Sequence, residues 1–478
     1  MYLGLDLGTS GLKAVVIDEH QMLRAEASAP LSVQRPHPGW SEQDPSDWVA
    51  AAERVLTALK SKIDMSAITG IGLSGQMHGA VMLDAAHTTL RPAILWNDTR
   101  AHEEAAELDQ RAGVRETTGN IVFPGFTAPK LLWTQRHEPQ HFEACHLVLL
   151  PKDYLRLWLT GEAVTEPSDA SGTAWFDVAA RTWSPMLLSE CDLEPAQMPR
   201  IVEGNAVSAG IRRGIADAFG LRENTPVAGG AGDNAAAAIG MGVIAPGQAF
   251  LSLGTSGVLF AASDGFRPAS ETSVHAFAHA LPGTWHQMGV ILAATDALNW
   301  LATLLDAEPD HLTANLGPLQ PPGRALFLPY LGGERTPHND AAVRGAFLGL
   351  EHQTDRAAAV RAVLEGVAFA VADCQDALAA TGTTLGDVVA VGGGSRSAAW
   401  LDIMATTLGV PINVPAAGET GAAFGAARLG LMAATGAGPS ALTAPPTART
   451  VEPRRDLVQA FSDAHARYRQ AYTAIRPY

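Results

Sequence analysis

The sequence predicts an α/β protein in which two domains repeat one plan, and three observations support this. Residues 5–11 recur almost unchanged as residues 251–257, each time between apolar runs, which is the pattern of a β-hairpin with a Gly-Thr-Ser-Gly turn. Helical stretches rich in small residues, 232–240 and 421–427, occupy the same late position in each half. The chain has 478 residues, more than a single hydrophobic core usually supports. We therefore expect a duplicated, two-domain fold.

The first domain is expected in residues 1–244 and begins with a three-stranded meander. Asp44-Pro45 predicts the start of a helix, because proline is favoured in the first helical turn. We expect a polar turn at residues 165–173 and a peripheral insert at residues 200–224. The other predicted elements are strands 2–7, 13–17, 22–28, 68–74, 80–83, 94–98 and 227–230, and helices 44–60, 128–137, 151–159 and 232–240.

The second domain is expected in residues 245–478 and repeats this plan. Small residues let helices approach closely, so we expect the two small-residue helices to cross at the domain junction. Residues 327–339 and 438–455 are rich in Pro, Gly, Ala or Thr and are predicted to be loops. The other predicted elements are strands 258–262, 286–292 and 388–391, and helices 293–305, 355–380, 397–408, 421–427 and 456–474.

Composition limits the classes of partner. With 33 basic and 49 acidic residues the net charge is −16, which argues against nucleic acid or an anionic membrane as partner. The three cysteines have no CxxC spacing, which suits a reducing compartment. The first predicted strand begins next to Met1, which leaves no room for a signal peptide, and no apolar run is long enough to span a membrane. We expect a soluble, cytoplasmic protein.

The two hairpin turns are candidate phosphate sites. Glycines let the backbone approach a ligand, and successive N–H groups with hydroxyls form a cradle for anions. One such turn could be only a turn, but two copies suggest that each half presents a hairpin to one polyphosphate. Asp6 of the first copy is Ser252 in the second, so a metal-binding carboxylate is present in one copy alone. The candidate phosphate-binding residues are Gly8, Thr9, Ser10, Gly254, Thr255 and Ser256.

The duplicated hairpins, the small-residue helices and a late Gly-Gly-Gly-Ser strand–helix turn resemble the superfamily of actin, Hsp70 and sugar kinases. Within it, the chain is identified as a member of the FGGY carbohydrate kinases and is most similar to bacterial members that phosphorylate xylulose. This resemblance implies two RNase H-like domains with a cleft between them. The motifs that carry it are residues 6–13, 32–44, 75–79, 125–133, 229–234 and 327–339, across nearly the whole chain.

The resemblance implies that Asp233 of Gly-Asp-Asn is the catalytic base. A kinase that acts on an alcohol needs a carboxylate to accept the hydroxyl proton as the γ-phosphoryl group transfers. The alternative is a helix N-cap, since Asp often caps helices. Both roles can hold at once, and we expect the helix N-terminus to keep Asp233 ionised.

Asp6 matches the catalytic carboxylate that binds Mg²⁺ in the family, and we expect it to bind through water, because Mg²⁺ retains several waters. The alternative is a carboxylate that bonds only its own turn. Lys13 matches a basic residue that approaches the ATP phosphates, against the alternative of a surface lysine. Relatives place adenine and ribose against a turn such as the one formed by Gly392, Gly393 and Gly394.

The sugar is expected to bind Met77 and His78 of Gln-Met-His-Gly, together with Asp233 and Asn234. An imidazole, a carboxylate and an amide supply the donors and acceptors that a small polyol needs. The alternative for His78 is a structural histidine. Further polar and aromatic residues stay without an assigned role: Trp40, Trp96, Asn97, Asp98, Lys130, Lys152, and Glu334, Arg335 and Thr336 of a possible interdomain loop.

The implied reaction is ATP + D-xylulose → ADP + D-xylulose 5-phosphate. A kinase for another pentulose or pentitol (ribulose, xylitol or D-arabinitol) is the nearest alternative, because one inverted hydroxyl needs few changed side chains. A sugar-sensing ATP-binding pseudokinase and a non-enzymatic ATP-gated module are more distant alternatives. The relatives imply a homodimer.

Overall fold

The computed structural model describes residues 1–314, 316–416 and 421–476. Seven residues of the predicted second domain, 315, 417–420, 477 and 478, are outside this part. The strands of the first half are β1 (Tyr2–Leu7), β2 (Gly11–Ile17), β3 (Leu23–Pro30), β4 (Glu42–Gln43), β5 (Gly70–Gly75), β6 (Val81–Leu83), β7 (Ala93–Ile94), β8 (Leu147–Leu149), β9 (Val164–Thr165), β10 (Phe176–Asp177), β11 (Thr182–Trp183), β12 (Arg200–Ile201), β13 (Val207–Gly210), β14 (Pro226–Ala228) and β15 (Ala231–Gly232). Its helices are α1 (Pro45–Lys60), α2 (His102–Asp109), α3 (Val114–Thr118), α4 (Thr127–His137), α5 (Pro139–Ala144), α6 (Pro151–Thr160), α7 (Pro167–Ala170), α8 (Pro185–Ser189), α9 (Arg213–Phe219) and α10 (Asp233–Met241).

The second half has fewer and longer elements. Its strands are β16 (Ala249–Leu253), β17 (Gly257–Ser263), β18 (His275–Ala278), β19 (Trp285–Ile291), β20 (Leu326–Leu328), β21 (Ala346–Leu348), β22 (Val388–Val391), β23 (Ile412–Pro415) and β24 (Thr447–Val451). Its helices are α11 (Thr295–Leu304), α12 (Pro309–Ala314), α13 (Arg356–Ala380), α14 (Ala398–Leu408), α15 (Ala422–Thr435) and α16 (Val458–Ile475).

Two sheets with equivalent topology form the centre of the molecule. The first has the order β13-β14-β5-β1-β2-β3, with β15 also paired to β5. The second has the order β18-β19-β17-β16-β22-β23-β24. In each, an antiparallel hairpin (β1-β2 or β16-β17) continues into a parallel strand (β5 or β22) on the side of its first strand. The predicted duplicated α/β fold is confirmed.

The predicted crossing of the two small-residue helices is also confirmed. A Cβ atom added to Gly425 of α15 would lie 1.8 Å from the carbonyl oxygen of Ala236 in α10, so the two backbones touch. A Cβ atom on Gly72 of β5 would lie 1.8 Å from the carbonyl oxygen of Ala426. Helix α15 belongs to the second half of the chain but packs on the first sheet. The boundary at residues 244 and 245 lies between α10 and β16 and stays a prediction.

Several segments differ from the sequence-based expectation, and two strands of the second sheet, β18 and β23, were not predicted. The expected insert at 200–224 contains β13, an edge strand of the first sheet, and the expected loop at 438–455 contains β24, an edge strand of the second. The polar turn at 165–173 contains α7, and the loop at 327–339 begins within β20. Edge strands and single helical turns are stabilised by backbone hydrogen bonds more than by buried apolar side chains. Their sequences therefore lack the hydrophobic periodicity by which strands and helices are predicted.

Among the residues that the structure describes, no helix combines the length and the apolar character needed to cross a membrane. The three cysteines, Cys145, Cys191 and Cys374, are free and buried.

Candidate active site

The carboxylate of Asp6 lies where β1 and β5 run side by side. The parallel register places Asp6 next to Ser74, and the Ser74 hydroxyl donates a hydrogen bond of 2.5 Å to Asp6 Oδ1. Burial raises the pKa of Asp6, while the Ser74 hydrogen bond and the positive charge of Lys13 act in the opposite direction. Lys13 is opposite Asp6 in the hairpin and also forms an ion pair of 3.4 Å with Glu26.

Asp233 is brought to the same sheet edge by β15. Gly232 pairs with Gly75 at the end of β5, and Asp233 is the first residue of α10. The backbone N–H and the side-chain amide of Asn234 donate to Asp233 Oδ1 at 2.7 and 2.9 Å. Burial raises the pKa of Asp233 to about 6, the negative charge of Asp6 acts in the same direction, and the two Asn234 bonds oppose it. The two predicted catalytic carboxylates are therefore close enough to interact.

The alternative role of Asp233 as a helix N-cap is wrong. The N-cap of α10 is Gly232, and no side-chain capping bond is present, so Asp233 does not cap its helix. Burial and the negative charge of Asp6 outweigh the two Asn234 hydrogen bonds and raise the pKa, but a pKa of about 6 still leaves the carboxylate mostly ionised at neutral pH. A base whose pKa lies near the working pH accepts a proton more effectively than an ordinary aspartate.

The raised pKa of Asp233 predicts the pH dependence of activity. Only the deprotonated carboxylate can accept a proton, so kcat/KM for the sugar should be lost as the pH falls through about 6 and should be retained above it. Initial rates between pH 5 and 8, with the coupling enzymes in excess at each pH, measure this. A rate that stays level down to pH 5 would contradict the assignment of this pKa to the base.

His78 is held as a neutral, half-buried ring. Its Nδ1 lies 2.7 Å from the carbonyl oxygen of Gly172, so Nδ1 carries the hydrogen and Nε2 is left as an acceptor. Burial lowers the pKa of His78 to about 3. The ring stacks on Phe126, with 4.8 Å between the ring centroids. The backbone is fixed as well, because the buried Lys130 ammonium donates to His78 O and Gly125 O, both at 2.7 Å.

Met77 packs against Gly232, the residue before the predicted base. A Cβ atom added to Gly232 would lie 2.9 Å from Met77 Cγ and 3.0 Å from its Sδ. The glycine before Asp233 is thus required for close contact with the predicted sugar motif. The structure brings together the predicted sugar and catalytic residues of the first half, namely Asp6, Met77, His78, Asp233 and Asn234.

Replacing His78 with glutamine should weaken sugar binding selectively. A lost or misplaced hydrogen bond at a buried site costs roughly 1–3 kcal/mol, which corresponds to about a 5- to 150-fold rise in KM for the sugar. The KM for ATP should stay the same, because the predicted ATP residues are on the hairpins and at the glycine turn. Initial-rate kinetics with each substrate varied in turn test this. Equal changes in both KM values would indicate a structural histidine instead.

The first hairpin turn is tied to its surroundings by hydrogen bonds. The Gly8 N–H donates to Gly11 O at 3.0 Å and closes the turn. The Thr9 hydroxyl donates to Gln76 Oε1 at 2.8 Å, and the Trp96 indole N–H donates to Thr9 Oγ1 at 3.0 Å. Because its hydroxyl hydrogen is already donated to Gln76, Thr9 would bind a phosphate through its backbone N–H group. Nothing in the sequence marks Gln76 or Trp96 as a partner of this turn, since only the tertiary contacts bring them to Thr9.

The second hairpin turn adjoins a large open cavity. Strand β22 pairs with β16 and thereby places Gly392 beside the hairpin, and the Thr295 hydroxyl donates to Gly254 O at 2.8 Å. The cavity has a volume of about 990 Å³, and Gly393 and Gly394 are part of its wall. Thr295, Asn299, Arg396 and Ser397 also line it, and sequence analysis missed them. Gly392, Thr255 and Ser256 are not among the lining residues.

The loop at 327–339 reaches the first domain. The guanidinium of Arg335 lies 4.5 Å from the ring of Phe123, and Arg335 Nη1 lies 3.4 Å from His275 Nε2. His275 is in turn 6.0 Å from Phe126, the ring that stacks on His78. The loop therefore contacts the first half of the chain, and its Arg335 lies near the residues that pack on the predicted sugar motif.

Magnesium fits the residues around Asp6. Two carboxylates, Asp6 and Asp233, and the Ser74 hydroxyl offer the hard oxygen donors that Mg²⁺ prefers. Within the described residues, the one cluster of three metal-binding side chains is elsewhere, at Asp373, Asp376 and His465. Arg469 lies 3.6 Å from Asp373 and 3.2 Å from Asp376, so a cation already neutralises that cluster.

Two family models match the chain. Residues 1–240 match the N-terminal domain of the FGGY family of carbohydrate kinases, and residues 249–434 match its C-terminal domain.

Individual relatives give the same result. The chain is 47% identical over 437 residues to the xylulose kinase of Escherichia coli strain K12, covering 91% of this chain and 90% of that protein. The crystal structure of a xyloylose kinase from Brucella ovis superposes with a TM-score of 0.98 at 56% identity, over 100% of this chain and 99% of the other. The xylulose kinase of Rhodospirillum rubrum superposes with a TM-score of 0.92 at 31% identity, over 100% and 99%.

Proposed function

The chain belongs to the FGGY family of carbohydrate kinases, and on that premise we propose that it is a xylulokinase, which transfers the γ-phosphoryl group of ATP to D-xylulose and forms ADP and D-xylulose 5-phosphate. Similarity to proteins named xylulose kinase, at 47% identity over 91% of this chain, supports the substrate. The observation that carries the reaction is the packing of Met77 against Gly232, because it sets the sugar motif beside a carboxylate whose pKa is about 6.

In the proposed mechanism, His78 and Asn234 orient the sugar and Asp233 accepts a proton. The neutral Nε2 of His78 accepts a hydrogen bond from one sugar hydroxyl. Asp233 takes the proton from the terminal hydroxyl as that oxygen attacks the γ-phosphorus in line, the bond to the ADP oxygen breaks, and ADP leaves. Closure of the cleft would exclude water, which otherwise competes with the sugar as the acceptor.

ATP is proposed to bind between the two hairpins and the glycine turn. The backbone N–H groups around Gly8–Ser10 and Gly254–Ser256 would hold the phosphates, with Lys13 near the first turn. Adenine and ribose would occupy the 990 Å³ cavity beside Gly393 and Gly394. Asp6 would hold Mg²⁺, which when bound neutralises charge on the phosphates.

Two further features are part of the proposal. A cytoplasmic location agrees with the supply of ATP. We also propose a homodimer, which light scattering on the purified chain tests: a mass twice that of the 50.0 kDa chain is expected.

The test is a coupled ADP-release assay with Mg-ATP over D-xylulose, D- and L-ribulose, xylitol, D-arabinitol and glycerol. Strong turnover on D-xylulose supports the proposal. Preference for another polyol would keep the kinase reaction and refute the xylulose assignment. Absence of sugar-dependent turnover, combined with ATP binding, would favour a sugar-sensing pseudokinase.

A further inference from the structure

Residues 166–172, which we name the 166–172 segment, form a buried connection between the base and the sugar motif. The segment contains α7 and the short helical turn after it. Its polar side chains, including Glu166, Ser168 and Asp169, are at most 1% exposed. No role follows for them from the proposed reaction, because none reaches the sugar or ATP positions described above.

Two contacts of this segment reach the predicted active-site residues. The backbone N–H of Gly232, the residue before Asp233, donates to Ser168 Oγ at 3.0 Å. The carbonyl of Gly172 accepts the Nδ1 hydrogen of His78 at 2.7 Å. A Cβ atom on Gly172 would lie 2.3 Å from the His78 ring, so any side chain at position 172 would clash with that ring. One short segment therefore holds the backbone of the base and the tautomer of the histidine.

The segment itself is anchored by buried charges. The ammonium of Lys152 lies 2.9 Å from Asp169 Oδ2 and 3.4 Å from Glu166 Oε1. Arg156 is also fully buried and donates to the carbonyls of Ala228 and Gly229, just before Asp233 in the chain. The same cluster of charges thus fixes the segment and the strand that leads to the base.

We propose that Ser168 is a positioning residue, which acts on catalysis through Gly232 by fixing the direction of the Asp233 carboxylate. This inference rests on the proposed function, because it assumes that Asp233 is the base. Gly232 ends β15 and caps α10, so its N–H sets where the helix begins. Displacing a reacting group by about 1 Å costs on the order of 10²-fold in rate.

The test compares Ser168→Ala with Thr173→Val. Both changes delete one buried hydroxyl, but the Thr173 hydroxyl has only local partners: it donates to the carbonyl of Ala170 at 2.7 Å and accepts from the backbone N–H of Trp175 at 3.4 Å. We expect Ser168→Ala to lower kcat about 10- to 100-fold with both KM values unchanged, and Thr173→Val to change kcat less than about 3-fold. Hydrogen exchange measured by mass spectrometry should show faster exchange of the Gly232 amide in Ser168→Ala alone.

The outcomes separate this inference from the proposed function. A kcat for Ser168→Ala equal to that of Thr173→Val would overturn the positioning role, whether or not the Gly232 amide exchanges faster. A loss of kcat with unchanged Gly232 exchange would also overturn it, because the effect would then not pass through that hydrogen bond. Failure of the wild-type chain to phosphorylate any sugar would refute the proposed function itself, while the exchange experiment would still report on the contact.

Discussion

Replacing Asp233 with alanine should lower kcat by about 10²- to 10⁴-fold, because removal of a positioned general base costs that much. The protein should nevertheless fold, since Asp233 is half-buried and caps no helix.

The raised pKa of Asp233 also means that the ionised carboxylate is unfavourable in the folded state. The Asp233 carboxyl contributes most to the free energy of unfolding when it is protonated, below its unfolded pKa of about 3.8, and this contribution is lost as the pH rises through about 6. At pH 8, Asp233→Ala should therefore be more stable relative to the wild type than it is at low pH.

The measurement is ADP release with D-xylulose, run beside thermal unfolding of the same preparations. Asp217→Ala, an exposed aspartate of α9, is the matched control and should keep wild-type activity. Asp233→Ala with activity within about 10-fold of the wild type would refute the role of Asp233 as base. A variant that unfolds at a much lower temperature would show instead that Asp233 is structural.

Replacing Lys152 with methionine should produce the largest loss of stability. Its ammonium is fully buried and lies 2.8 Å from Asp153, 2.9 Å from Asp169 and 3.4 Å from Glu166. Burial alone would lower the pKa of Lys152, but the three carboxylates outweigh it and raise the pKa. Removing one partner of a buried ion pair leaves an uncompensated charge and costs about 3–5 kcal/mol.

Urea denaturation measures this loss as a shift in the midpoint of the first unfolding transition. Lys60→Met is the control, because Lys60 is exposed at the end of α1 and its loss should cost less than about 0.5 kcal/mol. Asp169→Asn should cost less than Lys152→Met, since it removes only one of the three carboxylates and leaves Asp153 and Glu166 beside Lys152. Equal midpoints for Lys152→Met and Lys60→Met would show that Arg156 compensates the carboxylates on its own.

Local sequence patterns were sufficient for the hairpins and for the residues at their turns. A Gly-Thr-Ser-Gly turn between apolar runs is encoded by a few contiguous residues, and both copies form the expected hairpin, β1-β2 and β16-β17. The long helix α13 was also predicted correctly, because its apolar residues recur with helical periodicity along its whole length. Edge strands β13 and β24 were missed, since their stability comes from a neighbouring strand and not from their own pattern.

The candidate site was predictable only in part, because its properties depend on contacts between residues that are distant in the chain. The resemblance pointed to Asp6, His78 and Asp233 as separate positions, but not to the fixed tautomer of His78 or to the direction of the pKa shift at Asp233. Those depend on Gly172 and on desolvation by residues distant in the chain.

By itself, the sequence determined the duplication, the two turns and the family, because each is encoded in contiguous residues or in motifs. Only the tertiary structure decided which groups are buried and which side chains meet. Lys152 could have been a surface or sugar-site lysine from its sequence, yet it lies in the interior among three carboxylates. Burial and pairing depend on long-range packing, such as that of α15 on the first sheet. The free energy of a charge depends on that environment more than on its neighbours in sequence.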